Sequence, residues 1–188
     1  MLVRFEPERV MPNTELASRP EWLTPPPASS DGQQTLNSCC ANEKDWRLLD
    51  LGNPDALEFA KTRLTALLRE WGVSIFRQDF NMHPSFYWAA KDQQHGPDRV
   101  GLAELLHVEG LYSLWDHLLV SVPGLLIDNC ASGGRRLDVE LVSRSVVLWR
   151  SDDVWDPDVA QSVTCGSLAL EPKATFPNPN PPLPTPCR

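Results

Sequence analysis

The chain has 188 residues, 41% hydrophobic and 22% charged, which suits one soluble globular domain or a piece of a larger one. A formal charge of −8 excludes the basic face that nucleic acid requires, and no apolar run approaches the roughly 20 residues of a membrane-spanning helix. Five cysteines, an odd number with no C-x-x-C pair, define neither a complete disulfide framework nor a zinc site.

Leu2–Phe5 is a short apolar run closed by Glu6-Pro7 and reads as a buried strand. The stretch 24–45, rich in Pro, Ser, Gln and Asn, has no apolar period and reads as a long surface loop. Leu48-Leu49-Asp50-Leu51 is a second strand-like run. Asn53 then caps a helix, Pro54 suits its first turn and Gly72 its end. Between them Leu57, Ala60, Leu64, Leu67, Leu68 and Trp71 recur at three- and four-residue steps.

Val73–Phe76 follows as a strand leading to Arg77-Gln78-Asp79. A helix from about Asp98 to Leu119, broken by Pro123-Gly124, precedes the strand Leu125–Ile127 and then Asp128-Asn129-Cys130. A short helix over Asp138–Arg144 precedes the run Val146–Trp149, which ends in Arg150-Ser151-Asp152. From Glu171 onward the prolines at 172, 177, 179, 181, 182, 184 and 186 exclude a helix or central strand, so 171–188 is expected to be a disordered tail.

Apolar strands alternating with helices predict a parallel α/β sheet, either a (β/α)-barrel or an open doubly wound sheet. Glu6, Asp50, Asp79, Asp128 and Asp152 each fall just past the C-terminal end of a strand. That favours a barrel, whose strand ends converge on one active-site face. A nucleotide-binding sheet would carry a glycine-rich turn after its first strand, and none is there. A closed barrel takes about 250 residues, so the expectation is a partial (β/α)8 barrel over 1–170, followed by the Pro-rich tail.

Two carboxylates stand out chemically. Asp79, flanked by Arg77 and Asn81, is expected to stay ionised, as a nucleophile must; an ion pair or loop cap is the equally weighted alternative. Asp152, beside Asp153, suits a proton donor, although Ser151-Asp152-Asp153 could simply cap the next helix. The loop Cys130–Arg136 lacks the Lys-Ser/Thr ending of a phosphate-binding loop, and its glycines would let backbone N–H groups approach a ligand. His107 reads as a buried, satisfied residue; His83, His95 and His117 pair with no nucleophile. Trp88, Trp115 and Trp149 could stack on a sugar ring or serve as core.

Five motifs in order resemble the catalytic domain of glycoside hydrolase family 36, the melibiase or α-galactosidase family. Leu2-Val3-Arg4-Phe5-Glu6-Pro7-Glu8-Arg9-Val10 is similar to its L-x-W-F-E-P-E-x-V strand, and Leu48–Pro54 to the next strand and helix cap. Arg77-Gln78-Asp79-Phe80-Asn81 resembles the nucleophile motif K-W-D-x-N. Cys130–Asp138 resembles the sugar-binding loop C-x-S-G-G-x-R-x-D, and Trp149–Asp153 the W-x-S-D-D segment of the acid/base. Arg4 stands at a position where the family has a substrate-contacting Trp, Arg77 at its Lys, and Gln78 at its aromatic residue.

The resemblance implies a retaining α-glycoside hydrolase removing terminal α-linked galactose from oligosaccharides, with Asp79 as nucleophile and Asp152 as acid/base. Arg77, Asn81, Cys130 and Gly133 would shape the sugar subsite. Neither metal nor organic cofactor is needed, and the expected partner is a small carbohydrate, with no nucleic acid or membrane. The alternatives are a relative acting on α-N-acetylgalactosaminides or transferring galactose, and a truncated fragment without turnover.

Overall fold

A computed structural model describes residues 1–25, 46–153 and 155–170. Most of the 24–45 loop and the whole 171–188 tail lie outside the described residues. In chain order the elements are β1 (Leu2–Phe5), β2 (Arg9–Val10), β3 (Leu23–Thr24), β4 (Arg47–Leu49), α1 (Pro54–Glu70), β5 (Ile75–Gln78), α2 (Ser85–His95), α3 (Leu102–Ser121), β6 (Leu126–Asn129), α4 (Val139–Arg144) and α5 (Pro157–Leu170).

They fall into two compact units. The first comprises Met1–Phe5, Val73–Asp79 and the described residues from Leu125 onward. Its sheet is parallel, in the order β1-β5-β6, and a single parallel bridge from Asp128 to Val146 extends it. The predicted strand at Val146–Trp149 is thus reduced to one bridging residue. The reason is local: the Asp128 side chain takes the Leu148 N–H at 2.9 Å, so further pairing with the β6 backbone stops.

Register decides what each face of this sheet carries. Leu2, Ile75 and Leu126 are aligned, and so are Arg4, Arg77 and Asp128. Because strand side chains alternate, these two rows share one face. The other face holds Phe76, Gln78, Ile127 and Asn129, all essentially buried. On the first face Leu2 and Leu126 remain half exposed, at 52% and 50%.

The second unit comprises Glu6–Gly72 and Phe80–Gly124. Its sheet is antiparallel, β2-β4-β3, which corrects the expectation that Leu48–Leu51 is a parallel barrel strand. Its flanking strands are only two residues long, too short to leave a period in the sequence. Asp50 therefore does not end a strand of the parallel sheet; it is ion-paired with Lys91.

Helix α1 starts as predicted, with Asn53 Oδ1 accepting from the Asp55 and Ala56 N–H groups, and Gly72 follows it at φ +58°. Its buried stripe is Ala56, Ala60, Leu64 and Leu68, and each buried Leu contributes roughly 2 kcal/mol. Toward α3 it makes a ladder of polar ties: Lys61 to Ser113 at 2.9 Å, Thr65 with His117 at 3.1 Å, and Arg69 to the Ser121 carbonyl at 2.7 Å. Each tie spans 52 residues, so the two helices run parallel in one fixed register. Gly110 lets α3 pass the backbone of Leu51, since a Cβ there would sit 2.1 Å from the Leu51 carbonyl oxygen.

The single helix expected from Asp98 begins at Leu102, and α2 precedes it. Asp92, buried in α2, accepts from the Gly101 and Ala103 N–H groups and so caps α3 from outside. His107 lies on α3 at 2% exposure, with Nε2 2.9 Å from Glu8 Oε2. Trp115 is wholly buried and belongs to the core.

Candidate active site

The chemistry concentrates in the first unit, where the parallel strands end. Asp79 follows β5 by one residue and Cys130 follows β6 by one. Their amides continue the ladder, Asp79 N–H to the Phe5 carbonyl and Cys130 N–H to the Gln78 carbonyl, both at 2.9 Å. Two residues beyond Arg77 and Asp128, they return to the face that carries the row Arg4–Arg77–Asp128.

On that face two arginines divide two carboxylates. Arg77 donates to Asp128 Oδ2 at 2.9 Å and reaches Cys130 Sγ at 3.2 Å. Arg4 pairs with Asp79, its terminal nitrogen 2.5 Å from Oδ2. The Asp79 side chain is 5% exposed and that of Arg4 57%, so a fixed anion meets a cation reaching in from solvent. Sequence reading assigned Arg77 and Asn81 to Asp79. The structure gives Arg77 to Asp128 and sets Asn81 in the other unit, its amide donating to Glu6 Oε1 at 2.9 Å. Arg4 acquires its place from strand register, which no motif displays.

Burial works against the charge of Arg77, but its anionic neighbours outweigh it and the guanidinium is held protonated more firmly than usual. Burial, and next the charge of Asp79, push the Cys130 thiol up against the opposing pull of Arg77. Cys130 is thus kept as a neutral thiol, and Asp128 is the anion that secures Arg77.

Asp152 arrives on the segment after the Val146 bridge. It is exposed, and its Oδ1 accepts from the Trp149 indole N–H at 3.0 Å. The Trp149 ring in turn lies 5.6 Å from the Arg77 guanidinium carbon. One chain of contacts therefore runs from Asp128 through Arg77 and Trp149 to Asp152. Capping of the next helix falls to Asp156, which accepts from the Asp158 and Val159 amides, so Ser151-Asp152-Asp153 is not a helix cap.

The loop Cys130–Asp138 buttresses that segment. Asn129 donates to the Arg136 carbonyl at 2.7 Å, and Arg135 Nε to the Ala131 carbonyl at 2.9 Å, closing the loop on itself. Gly133 has φ +77°, and a Cβ there would come within 3.0 Å of the Asp152 nitrogen. At Gly134 a Cβ would lie 2.5 Å from the Arg150 carbonyl oxygen. The two glycines thus let the backbone of Arg150–Asp152 pack directly on the loop.

A parallel sheet with carboxylates beyond its strand ends is an arrangement found in barrel glycosidases. The fold is that of family 36 α-galactosidases: AgaA of Geobacillus stearothermophilus superposes with TM-score 0.70 at 22% identity, over 90% of this chain and 22% of that one. A variant of AgaA in complex with stachyose gives TM-score 0.69 at 21% identity, over 90% and 22%. The family model Melibiase matches residues 2–176, and the chain belongs to that family.

Among curated relatives, alpha-galactosidase 1 of Pediococcus pentosaceus is 26% identical over 150 residues, 79% of this chain and 19% of its own length. Probable alpha-galactosidase C of Aspergillus flavus is 26% identical over 173 residues, 90% of this chain and 20% of its own. The chain thus spans about a fifth of the length of these relatives.

Proposed function

We propose that residues 1–170 are part of the catalytic domain of a retaining α-galactosidase. Asp79 attacks the anomeric carbon while Asp152 protonates the departing glycosidic oxygen; Asp152 then takes a proton from the water that releases the sugar. Direct attack requires the two carboxyl groups about 5–5.5 Å apart.

The observation that carries this reading is the unlike setting of the two carboxylates within one unit. Asp79 is buried against a guanidinium, the environment of a permanent anion. Asp152 is open to water and oriented by Trp149, which suits a group that must gain and lose a proton in each turnover. Arg77, Cys130 and Gly133 are proposed to shape the sugar subsite. An α-galactoside of an oligosaccharide such as stachyose is the proposed substrate, because a variant of the structurally similar AgaA is complexed with that sugar.

The test is hydrolysis of nitrophenyl α-galactoside and nitrophenyl α-N-acetylgalactosaminide by the chain, its Asp79→Asn and its Asp152→Asn variants. Proton NMR of the first-formed sugar would read the configuration. Turnover of the galactoside with an α-configured product, lost in Asp79→Asn, supports the proposal; an inverted product refutes it.

A second reading, a sugar-binding piece without turnover, is favoured by one feature. Leu2 and Leu126 lie half exposed on a face that parallel sheets normally cover. Binding of galactose without hydrolysis of either glycoside would select it.

A further inference from the structure

We infer that Arg4 is the positioning residue of the nucleophile: its guanidinium holds Asp79 Oδ2 in place and keeps the carboxylate charged for attack. This rests on the hydrolase reading above and extends it to a residue of β1 that lies outside the nucleophile's own motif.

Three observations carry it. The Arg4 nitrogen and Asp79 Oδ2 are 2.5 Å apart, a charge-assisted contact. Asp79 is almost fully buried, so an ionised carboxylate there needs a counter-ion. The other arginine of the same row, Arg77, is committed to Asp128, which is wholly buried and also holds the Leu148 amide. Arg77 adds its field at Asp79, whereas Arg4 is in direct ion-pair contact with it.

The arrangement has a chemical consequence. In the glycosylation step the bond from the anomeric carbon to the leaving oxygen breaks, a bond to an Asp79 oxygen forms, and Asp152 supplies the proton. The negative charge on Asp79 is consumed as the ester forms and restored when water cleaves it. A cation held at Oδ2 steadies the carboxylate at both ends of that cycle, from a side chain that is 57% exposed.

The test is a carboxyl-13C NMR titration of the full chain labelled at aspartate, with Asp79→Asn used to assign the resonance. Arg4→Gln is expected to raise the titration midpoint of Asp79 by about one pH unit, the low end for an adjacent guanidinium because the Arg4 side chain is exposed. Arg4→Lys should keep most of the wild-type value. In parallel, labelling of Asp79 by 5-fluoro-α-galactosyl fluoride is followed against pH by peptide mass. If the midpoint moves but the wild-type chain is never labelled, the positioning role stands and the hydrolase reading falls. If labelling occurs but Arg4→Gln leaves both the midpoint and the acid limb unchanged, Arg4 has no such role while the hydrolase reading survives.

Discussion

The indole nitrogen of Trp149 donates to Asp152 Oδ1 at 3.0 Å, while the face of the same ring lies beside the Arg77 guanidinium. One side chain thus connects the proposed proton donor to the Arg77–Asp128 pair. The two functions can be separated. Trp149→Phe keeps a ring for Arg77 and removes only the donor. On the proposed reading, kcat/KM for an unactivated oligosaccharide α-galactoside, whose leaving oxygen needs the proton, is expected to fall about tenfold, equivalent to about 1.4 kcal/mol. The unfolding midpoint in urea should hardly change, because the bond is solvent-exposed.

Asp128 is expected to be the most costly single replacement in the parallel sheet. Its carboxylate is wholly buried, paired with Arg77 and bonded to the Leu148 amide. Asp128→Asn preserves volume yet leaves Arg77 without its anion. A loss of about 3 kcal/mol is expected, at the low end for a broken buried pair because Arg77 keeps some access to water. Urea unfolding measures it.

Gly110 reverses the usual rule for helices. Replacing a mid-helix glycine by alanine ordinarily adds about 1 kcal/mol. Here the new Cβ would stand 2.1 Å from the Leu51 carbonyl oxygen, a backbone atom that cannot swing aside. Gly110→Ala is therefore expected to destabilise the chain by about 2 kcal/mol, read from its thermal or urea unfolding.

Gly134→Ala applies the same clash to the site, 2.5 Å from the Arg150 carbonyl oxygen. The expected result is a loss of about 1–3 kcal/mol in stability. The proposed galactosidase turnover should fall by more than that loss explains, since Arg150 leads directly to Asp152. Comparing rates well below the melting temperature separates the two effects.

Cys130 predicts a pH dependence whose sign follows from its raised thiol. In the folded chain it retains a proton that the unfolded chain releases on passing the ordinary thiol range. The native state then binds more protons, so stability falls as pH rises from that range toward the folded-state value. Cys130→Ala should flatten this alkaline decline. Urea midpoints from pH 7 to pH 10, compared between the two chains, provide the measurement.

Local chemistry made much of this fold readable. Asn53, Pro54 and Gly72 bracket α1, and Asp138 caps α4 through the Leu141 amide, because caps and breakers act within a few residues. The strand end at Asp79 was visible as an apolar run meeting an acid, whereas Asp128, expected just past its strand, lies within β6. What pairs at long range was not visible. Leu48–Leu51 looks like a parallel strand, but β4 pairs antiparallel with two earlier segments of two residues each, β2 and β3. The Arg4–Asp79 pair depends on the offset between β1 and β5, and the apolar pattern of a four-residue strand does not distinguish offsets that differ by two residues.

The constant spacing of the ties between α1 and α3 limits how this chain can vary in length. Three contacts, at 61 with 113, 65 with 117 and 69 with 121, all require the same count of intervening positions along both helices. Deleting one residue inside either helix turns everything beyond it by about 100° and breaks the remaining rungs together. Insertions and deletions are consequently tolerable in the connecting loops and prohibited within the two helices.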